Sequence, residues 1–273
     1  MESFNYDSIN VEIPKRPSNS HKGDFGKVLV IGGSEGMGGA AILSSEASLF
    51  CGSGLVSLNT HPLNVEASLK RNPEVMALGV DSDIKIRNKV DVILCGPGMK
   101  SDAWSRKAYD TIYVQKNLKA LILDAGALNF LSEKKITNFN NDMILTPHPG
   151  EAARLLNIST SEIQKNRINA AKSISKIYHA TVVLKGKDTI ISSSNCKDIF
   201  VCSEGGSELS SGGTGDVLAG VISAIIAQKV NVIEACLLSV AVHARAGKIF
   251  HNDVGEIGLN ASSLIPIIRK LLN

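Results

Sequence analysis

Short aliphatic and β-branched runs alternate with helical patterns along nearly the whole chain. Lys27–Ile31 reads as a buried strand that ends in Gly32-Gly33, and residues 38–51 follow as a helix of small residues. Leu55–Thr60, Val75–Leu78, Val90–Leu94, Ala120–Leu123, Met143–Leu145 and Thr181–Leu184 repeat the strand pattern, and Thr189–Ser192 and Ile199–Cys202 read as a β-meander after them. Helical spacing covers 102–116, 149–156, 161–179, 214–227, 232–250 and 261–271. Short apolar strands separated by helices predict an α/β fold, a mostly parallel central sheet with helices on both faces.

The strand ends carry the first functional signal. Gly32, Gly96, Asp124, Thr146 with His148, and Lys185 with Gly186 each close a strand at its C-terminal end. In open α/β sheets ligands bind in the crevice beyond those ends, so one edge of the sheet is the expected site.

Bulk properties exclude several classes. The 273 residues are 44% hydrophobic and no Pro/Ser-rich linker divides them, so one domain over 1–273 is expected. A net charge of +3, with basic and acidic residues interspersed, and only 4% aromatics argue against nucleic acid and against an anionic membrane. The most apolar windows, 217–227 and 232–242, are interrupted by Gln228, Lys229 and Asn231, too soon to span a bilayer. The N-terminus has no basic, then apolar, signal-peptide pattern. Five scattered cysteines, Cys51, Cys95, Cys196, Cys202 and Cys236, form no metal-ligand spacing and read as reduced thiols of a cytoplasmic protein.

The run Ser211-Gly-Gly-Thr-Gly-Asp216, feeding into Val217-Leu-Ala-Gly220, is the densest chemical signal. A glycine-rich turn before an apolar helix offers bare N–H groups and the positive end of a helix dipole to an anion such as a phosphate. Gly212, Gly213 and Gly215 let the backbone approach that anion closely. Asp216 is out of place as a phosphate ligand, because its charge repels one. Its use is as a base that takes a proton from a hydroxyl attacking the phosphate; the plainer alternative is an ordinary acidic residue in a helix's first turn.

Other motifs leave alternatives open. Gly36-x-Gly38-x-x-Ala41 loosely fits a dinucleotide fingerprint, but Asn59, Thr60 and His61 stand where the ribose-binding acid belongs. No Lys-Ser/Thr follows the last glycine, so it is no Walker A loop either. What survives is a backbone-lined turn with Ala40 beside a ligand. Lys185-Gly-Lys-Asp-Thr189 is either a tight hairpin or a turn laid against a nucleotide. In Thr146-Pro-His-Pro-Gly-Glu151, two prolines fix the backbone of His148 at a strand's C-terminal edge, a placement that suits a ligand better than packing. Asp124 either holds a metal through water or caps the following helix. His243 and His251 lack carboxylate or Cys partners at ligand spacing and read as structural.

Taken in order over residues 20–270, these motifs resemble the ADP/ATP-dependent NAD(P)H-hydrate dehydratases of the ribokinase-like superfamily. They are Lys22-Gly-Asp-Phe-Gly26, Val30-Ile-Gly-Gly-Ser34 through Ala40, Gly96-Pro-Gly98, Leu123-Asp-Ala125, Thr146-Pro-His-Pro-Gly-Glu151, Leu184-Lys-Gly186 and Gly212-Gly-Thr-Gly-Asp-Val-Leu-Ala-Gly220. Gly-Thr-Gly-Asp marks the wider kinase superfamily; Thr-Pro-His-Pro-Gly-Glu with Lys-Gly-Asp-Phe-Gly is specific to the dehydratases. The chain departs from the family at Gly126, where relatives often carry an acid. It also begins too close to Lys22 to include the epimerase domain that many relatives add in front.

The resemblance implies a ribokinase-like three-layer sandwich that uses ADP or ATP, with Mg2+, to return the S form of NAD(P)H-hydrate to NAD(P)H. By position, Ala40, Gly98, His148 and Asp216 would line the hydrated nicotinamide nucleotide. Lys185, Gly186, Lys187, Asp188, Thr189, Gly213, Thr214 and Gly215 would lie against the adenine nucleotide. It further implies a homo-oligomer, a tetramer. No metal-ligand set is visible. The rival enzyme is a ribokinase-like kinase for a vitamin-precursor alcohol, a hydroxyethylthiazole or hydroxymethylpyrimidine; the rival of another class is a non-catalytic nucleotide-binding module.

Overall fold

A computed structural model of the chain describes residues 1–81, 89–114, 118–134 and 142–273. Ten strands build one sheet: β1 (Glu2–Phe4), β2 (Lys27–Ile31), β3 (Leu55–Thr60), β4 (Met76–Gly79), β5 (Val92–Cys95), β6 (Ala120–Leu123), β7 (Asp142–Leu145), β8 (Thr181–Leu184), β9 (Ile190–Ser193) and β10 (Ile199–Cys202). Their order across the sheet is β1-β10-β9-β8-β7-β6-β5-β2-β3-β4. All neighbours pair parallel except β9, which runs antiparallel to β8 and to β10.

The helices are α1 (Gly38–Phe50), α2 (Val65–Arg71), α3 (Ala103–Asp110), α4 (Gly126–Lys134), α5 (Pro149–Leu156), α6 (Thr160–Lys165), α7 (Arg167–Tyr178), α8 (Thr214–Ala227), α9 (Val232–Asp253) and α10 (Ala261–Leu271). They cover both faces because the strands are apolar on both faces. Val28, Val30, Val92, Leu94, Ile122 and Ile144 point into one core, which α1, α8, α9 and α10 close. Their alternates Leu29, Ile31, Ile93, Cys95, Leu121 and Leu123 point into a second core under α3 to α7. Period-two alternation inside a continuous apolar run thus makes three layers from each strand's two faces. The central helix α8 is apolar almost all round, and eleven of its last residues, from Val217 to Ala227, are buried. It lies against α1 closely enough that a Cβ on Gly220 would stand 2.3 Å from the Ser44 carbonyl oxygen.

Some elements differ from the sequence reading. The single helix expected over 161–179 is two, α6 and α7, because Asn166 leaves the helical region (φ −149°, ψ 68°) and its side chain caps α7 through Asn169 N. The helix expected over 102–116 ends at Asp110 and tightens into a 3-10 turn over Thr111–Val114; residues 115–116 lie outside the described residues. β1, α2 and α4 had no strong periodic signature. Every strand but β9 delivers its C-terminal end to the same sheet edge. Between β2 and β5 the strand order reverses, which opens a crevice at that edge.

Candidate active site

The crevice between β2 and β5 is braced backbone to backbone. Gly33 N donates to Pro97 O at 2.8 Å and Ser34 N to Gly98 O at 2.9 Å. Thr60 Oγ1 and Asn64 Nδ2 both donate to the Gly33 carbonyl, at 3.1 and 2.7 Å. The end of β3 therefore holds this turn instead of reaching for a ribose. Gly98 has φ +67°, and a Cβ there would meet Met37 O at 2.3 Å and Ala40 Cβ at 3.2 Å. Ala40 and Gly98, expected together on one ligand, are neighbours in this crevice.

Two carboxylates converge on one ammonium at the end of β8. Lys185, at the end of β8, places Nζ 2.7 Å from Asp124 Oδ1 and 4.0 Å from Glu151 Oε2. A Cβ on Gly215 would lie 3.2 Å from the same Nζ, so the ammonium sits under the first turn of α8. Asp124 is fixed from its other side by Thr146 Oγ1, which donates to Oδ1 at 2.8 Å. Its carboxylate is the counter-ion of Lys185. Gly126, the departure from the family pattern, has a packing cause: Met99 O would be 2.3 Å from its Cβ.

Asp216 stands in the first turn of α8, its carboxylate turned back toward Gly213, where a Cβ would be 4.0 Å from Oδ2. Its backbone carbonyl accepts from Ser44 Oγ at 2.9 Å, tying it to α1 one turn beyond Ala40. Burial first, then the charges of Asp124 and Glu151, push its pKa up to about 7 against the pull of Lys185. Burial likewise raises Glu151. Burial alone would lower Lys185, but Asp124 and Glu151 outweigh it and hold its pKa above the ordinary lysine value.

His148 caps α5. Its Nδ1 accepts from Gly150 N at 2.9 Å, which leaves Nε2 3.3 Å from Glu151 Oε1, while Glu151 Oε2 accepts from the His148 backbone N at 2.7 Å. Burial and the nearby Lys185 lower its pKa, so the ring is neutral, and half of it is exposed. This reciprocal cap holds Glu151 toward Lys185.

A cavity of about 340 Å³ opens beside the N-terminus of α8. Of the residues expected on the nucleotide, Lys185, Gly186, Lys187, Thr189, Thr214 and Gly215 line it; Asp188 and Gly213 do not. The segment 185–189 is the tight connection of the antiparallel pair β8–β9, and four of its five residues line the cavity. Gly186 has φ +132° and Asp188 φ +55°, backbone that glycine and Asp tolerate. Gly213 opens α8 with φ +94°, whereas a Cβ on Gly212 would meet open space. Thr214 turns its hydroxyl inward to the carbonyls of Leu209 and Ser211.

Sequence reasoning missed Glu151 and two arginines. Arg167, first residue of α7, donates to the carbonyls of Leu184, Lys185 and Lys187 and so clamps the turn from behind. Arg245 pairs with Glu204, a cavity wall, and with Asp7 at 2.6 Å; Tyr6 N reaches the other Glu204 oxygen at 3.1 Å. Among the described residues no group of three His, Cys, Asp or Glu is arranged for a metal. Asp124 and Glu151 are instead paired with Lys185.

A glycine-opened helix with a first-turn acid, at the carboxyl edge of a mostly parallel three-layer sandwich, defines a ribokinase-like protein. The chain belongs to the NAD(P)H-hydrate dehydratase family of carbohydrate-kinase type, whose pattern it matches over residues 28–270. It is 39% identical over 264 residues to the bifunctional NAD(P)H-hydrate repair enzyme Nnr of Vibrio cholerae, covering 96% of this chain and 52% of that protein. The chain thus spans about half the length of that relative. It is 36% identical over 267 residues to an ADP-dependent (S)-NAD(P)H-hydrate dehydratase of Neisseria meningitidis, with 94% and 88% of the two chains covered. The ADP/ATP-dependent NAD(P)H-hydrate dehydratase of Bacillus subtilis, co-crystallised with ATP and Mg2+, superposes with a TM-score of 0.86 at 28% identity, over 95% of this chain and 93% of that one.

Proposed function

We propose that this chain uses ADP, or ATP, to dehydrate the S form of NAD(P)H-hydrate to NAD(P)H, releasing AMP, or ADP, and phosphate. The observation that carries the reading is Asp216: a half-buried acid in the first turn of α8, tied to α1 through Ser44, with its neighbours Thr214 and Gly215 lining the cavity beside Lys185. The names of the relatives support the same reaction.

Hydroxide on a ring carbon next to the nicotinamide nitrogen is a poor leaving group. Asp216 takes the hydroxyl proton as that oxygen attacks the terminal phosphorus of the nucleotide, and the bond from phosphorus to the bridging oxygen breaks. The N–H groups at Gly213 to Gly215 bind the moving phosphoryl oxygens, and Lys185 offsets the charge gathered at the site. The ring nitrogen's lone pair then forms a C=N bond and expels phosphate. Loss of a proton from the neighbouring carbon restores the dihydronicotinamide. Overall the hydrate loses the elements of water, which leave with the transferred phosphoryl group as inorganic phosphate, and AMP or ADP is the other product.

The test incubates purified protein with hydrated NADH or NADPH and each nucleotide, following dihydronicotinamide absorbance and free phosphate. The expected result is one phosphate per dihydronicotinamide restored. A stable phosphorylated product would assign the chain to the vitamin-precursor kinases, and nucleotide binding with no turnover would make it a binding module.

A further inference from the structure

The cavity beside α8 has two chemically different ends. Lys185, Lys187, Thr189 and Gly215 make a polar end suited to phosphates, while Leu209, Leu218, Val240 and Ala244 make an apolar wall suited to a flat ring. His243 of α9 lines the same cavity and is only 8% exposed. Its Nε2 lies 3.0 Å from the Thr214 carbonyl oxygen. A carbonyl can only accept, so Nε2 carries the proton and Nδ1 is a bare acceptor. Among the described residues Nδ1 finds no hydrogen-bond partner, yet it is not one of the unpaired atoms that the packing seals off. Its lone pair therefore opens on the cavity. An acceptor open on the cavity can take a hydrogen bond from water or, in its place, from a ligand's N–H.

We propose that His243 Nδ1 reads the nucleotide's base, accepting a hydrogen bond from the exocyclic amino group of a 6-aminopurine and disfavouring a 6-oxopurine, which turns a lone pair toward it. The inference rests on the cavity being the nucleotide site, as in the proposed function. Burial, against the Thr214 hydrogen bond and with help from Lys185, holds the His243 pKa at about 4. The ring is then neutral, and Nδ1 an acceptor, over the whole neutral range. The tautomer is set by α8, because its partner is the carbonyl of the helix's own first residue. The anion cradle and the base reader are thus held by the same turn.

Calorimetric titration of the full chain with ADP, IDP and 2′-deoxy-ADP tests this without relying on turnover. The wild type should bind ADP about tenfold tighter than IDP, the worth of one hydrogen bond in a desolvated wall. His243→Leu should bring the two within about threefold of each other by weakening ADP alone. His243→Gln, whose amide can donate to Thr214 O and present an oxygen to the cavity, should keep the preference. Should the leucine variant not fold, 15N spectra of the wild type decide: the Nδ1 resonance should move upfield with ADP and stay with IDP. Equal affinity for ADP and IDP, a preference that survives in His243→Leu, or loss of affinity for 2′-deoxy-ADP equal to that for IDP would overturn the inference while leaving the nucleotide site intact. Binding of none of the three would remove the functional reading as well.

Discussion

Asp216 sits where its own ionisation is opposed, and the opposition is what makes it useful. A base with a pKa near the working pH is half unprotonated and still a strong acceptor. With its pKa raised to about 7, kcat/KM should climb with pH through about 7 and level off above it, because only the ionised form accepts the proton. A pH profile at saturating nucleotide checks this. Asp216→Asn should lower kcat by about 10²–10⁴-fold with ADP affinity retained in calorimetry; near-wild-type turnover would remove the base from the mechanism. Lys185→Met takes away the charge that pulls Asp216 down, so the acid limb of the profile should shift to higher pH. It also strands Asp124 and Glu151, and denaturant titration should record a loss of about 3–5 kcal/mol. Asp216 was legible in the sequence because a glycine turn and a first-turn acid are neighbours in the chain. The carboxylates around Lys185 were not, since Asp124 lies 61 residues from it and only the pairing of β6, β7 and β8 brings them together.

Helix α8 must be narrow where α1 crosses it, and Gly220 is the narrow point. Gly220→Ala should destabilise by about 1–3 kcal/mol, read from thermal melts, and should also weaken activity, because Ser44 on α1 holds the Asp216 carbonyl. The nucleotide turn depends on a different element. Arg167→Leu removes the clamp on three carbonyls. KM for ADP should rise with kcat little changed, a split that steady-state kinetics resolves. Most of the elements could be read from pattern, since doubly buried strands form unbroken aliphatic runs, α5 and α10 have clear apolar faces and α8 is apolar almost throughout. Those missed were short or locally ambiguous. β1 is three residues whose pairing with β10 spans almost 200 positions, and the Asn166 break exists because a side-chain cap outcompetes helix continuation.

At the scale of the whole molecule, the first residues of the chain brace a wall of the cavity beside α8. β1 extends the sheet beyond β10, and Tyr6 and Asp7 hold Glu204 and Arg245 in place behind the cavity wall. Removing residues 1–8 should therefore raise KM for ADP as well as lower the melting temperature, although no residue of that segment lines the cavity. Nucleotide binding should stabilise the whole chain: at a hundred times its Kd, ADP should add about 2.7 kcal/mol, seen as a melting temperature higher by about 5–10 °C. Asp216→Asn should preserve that shift, which separates binding from chemistry. No helix among the described residues is long and apolar enough to cross a membrane.

The lone reversed strand, β9, has a consequence for how the site is divided along the chain. Because β8 turns straight back without a crossover helix, residues 185–189 and 203–206 reach the same rim from β8 and β10, the two neighbours of β9, and α8 follows after one 3-10 turn. Most of the cavity wall beside α8 thus comes from one stretch, 185–218, completed by Val240, His243 and Ala244 of α9, while the crevice at Ala40 and Gly98 is assembled from the first half of the chain. If the proposed function holds, remodelling the early loops changes which hydroxyl arrives without rewriting the segment that would hold the phosphate donor.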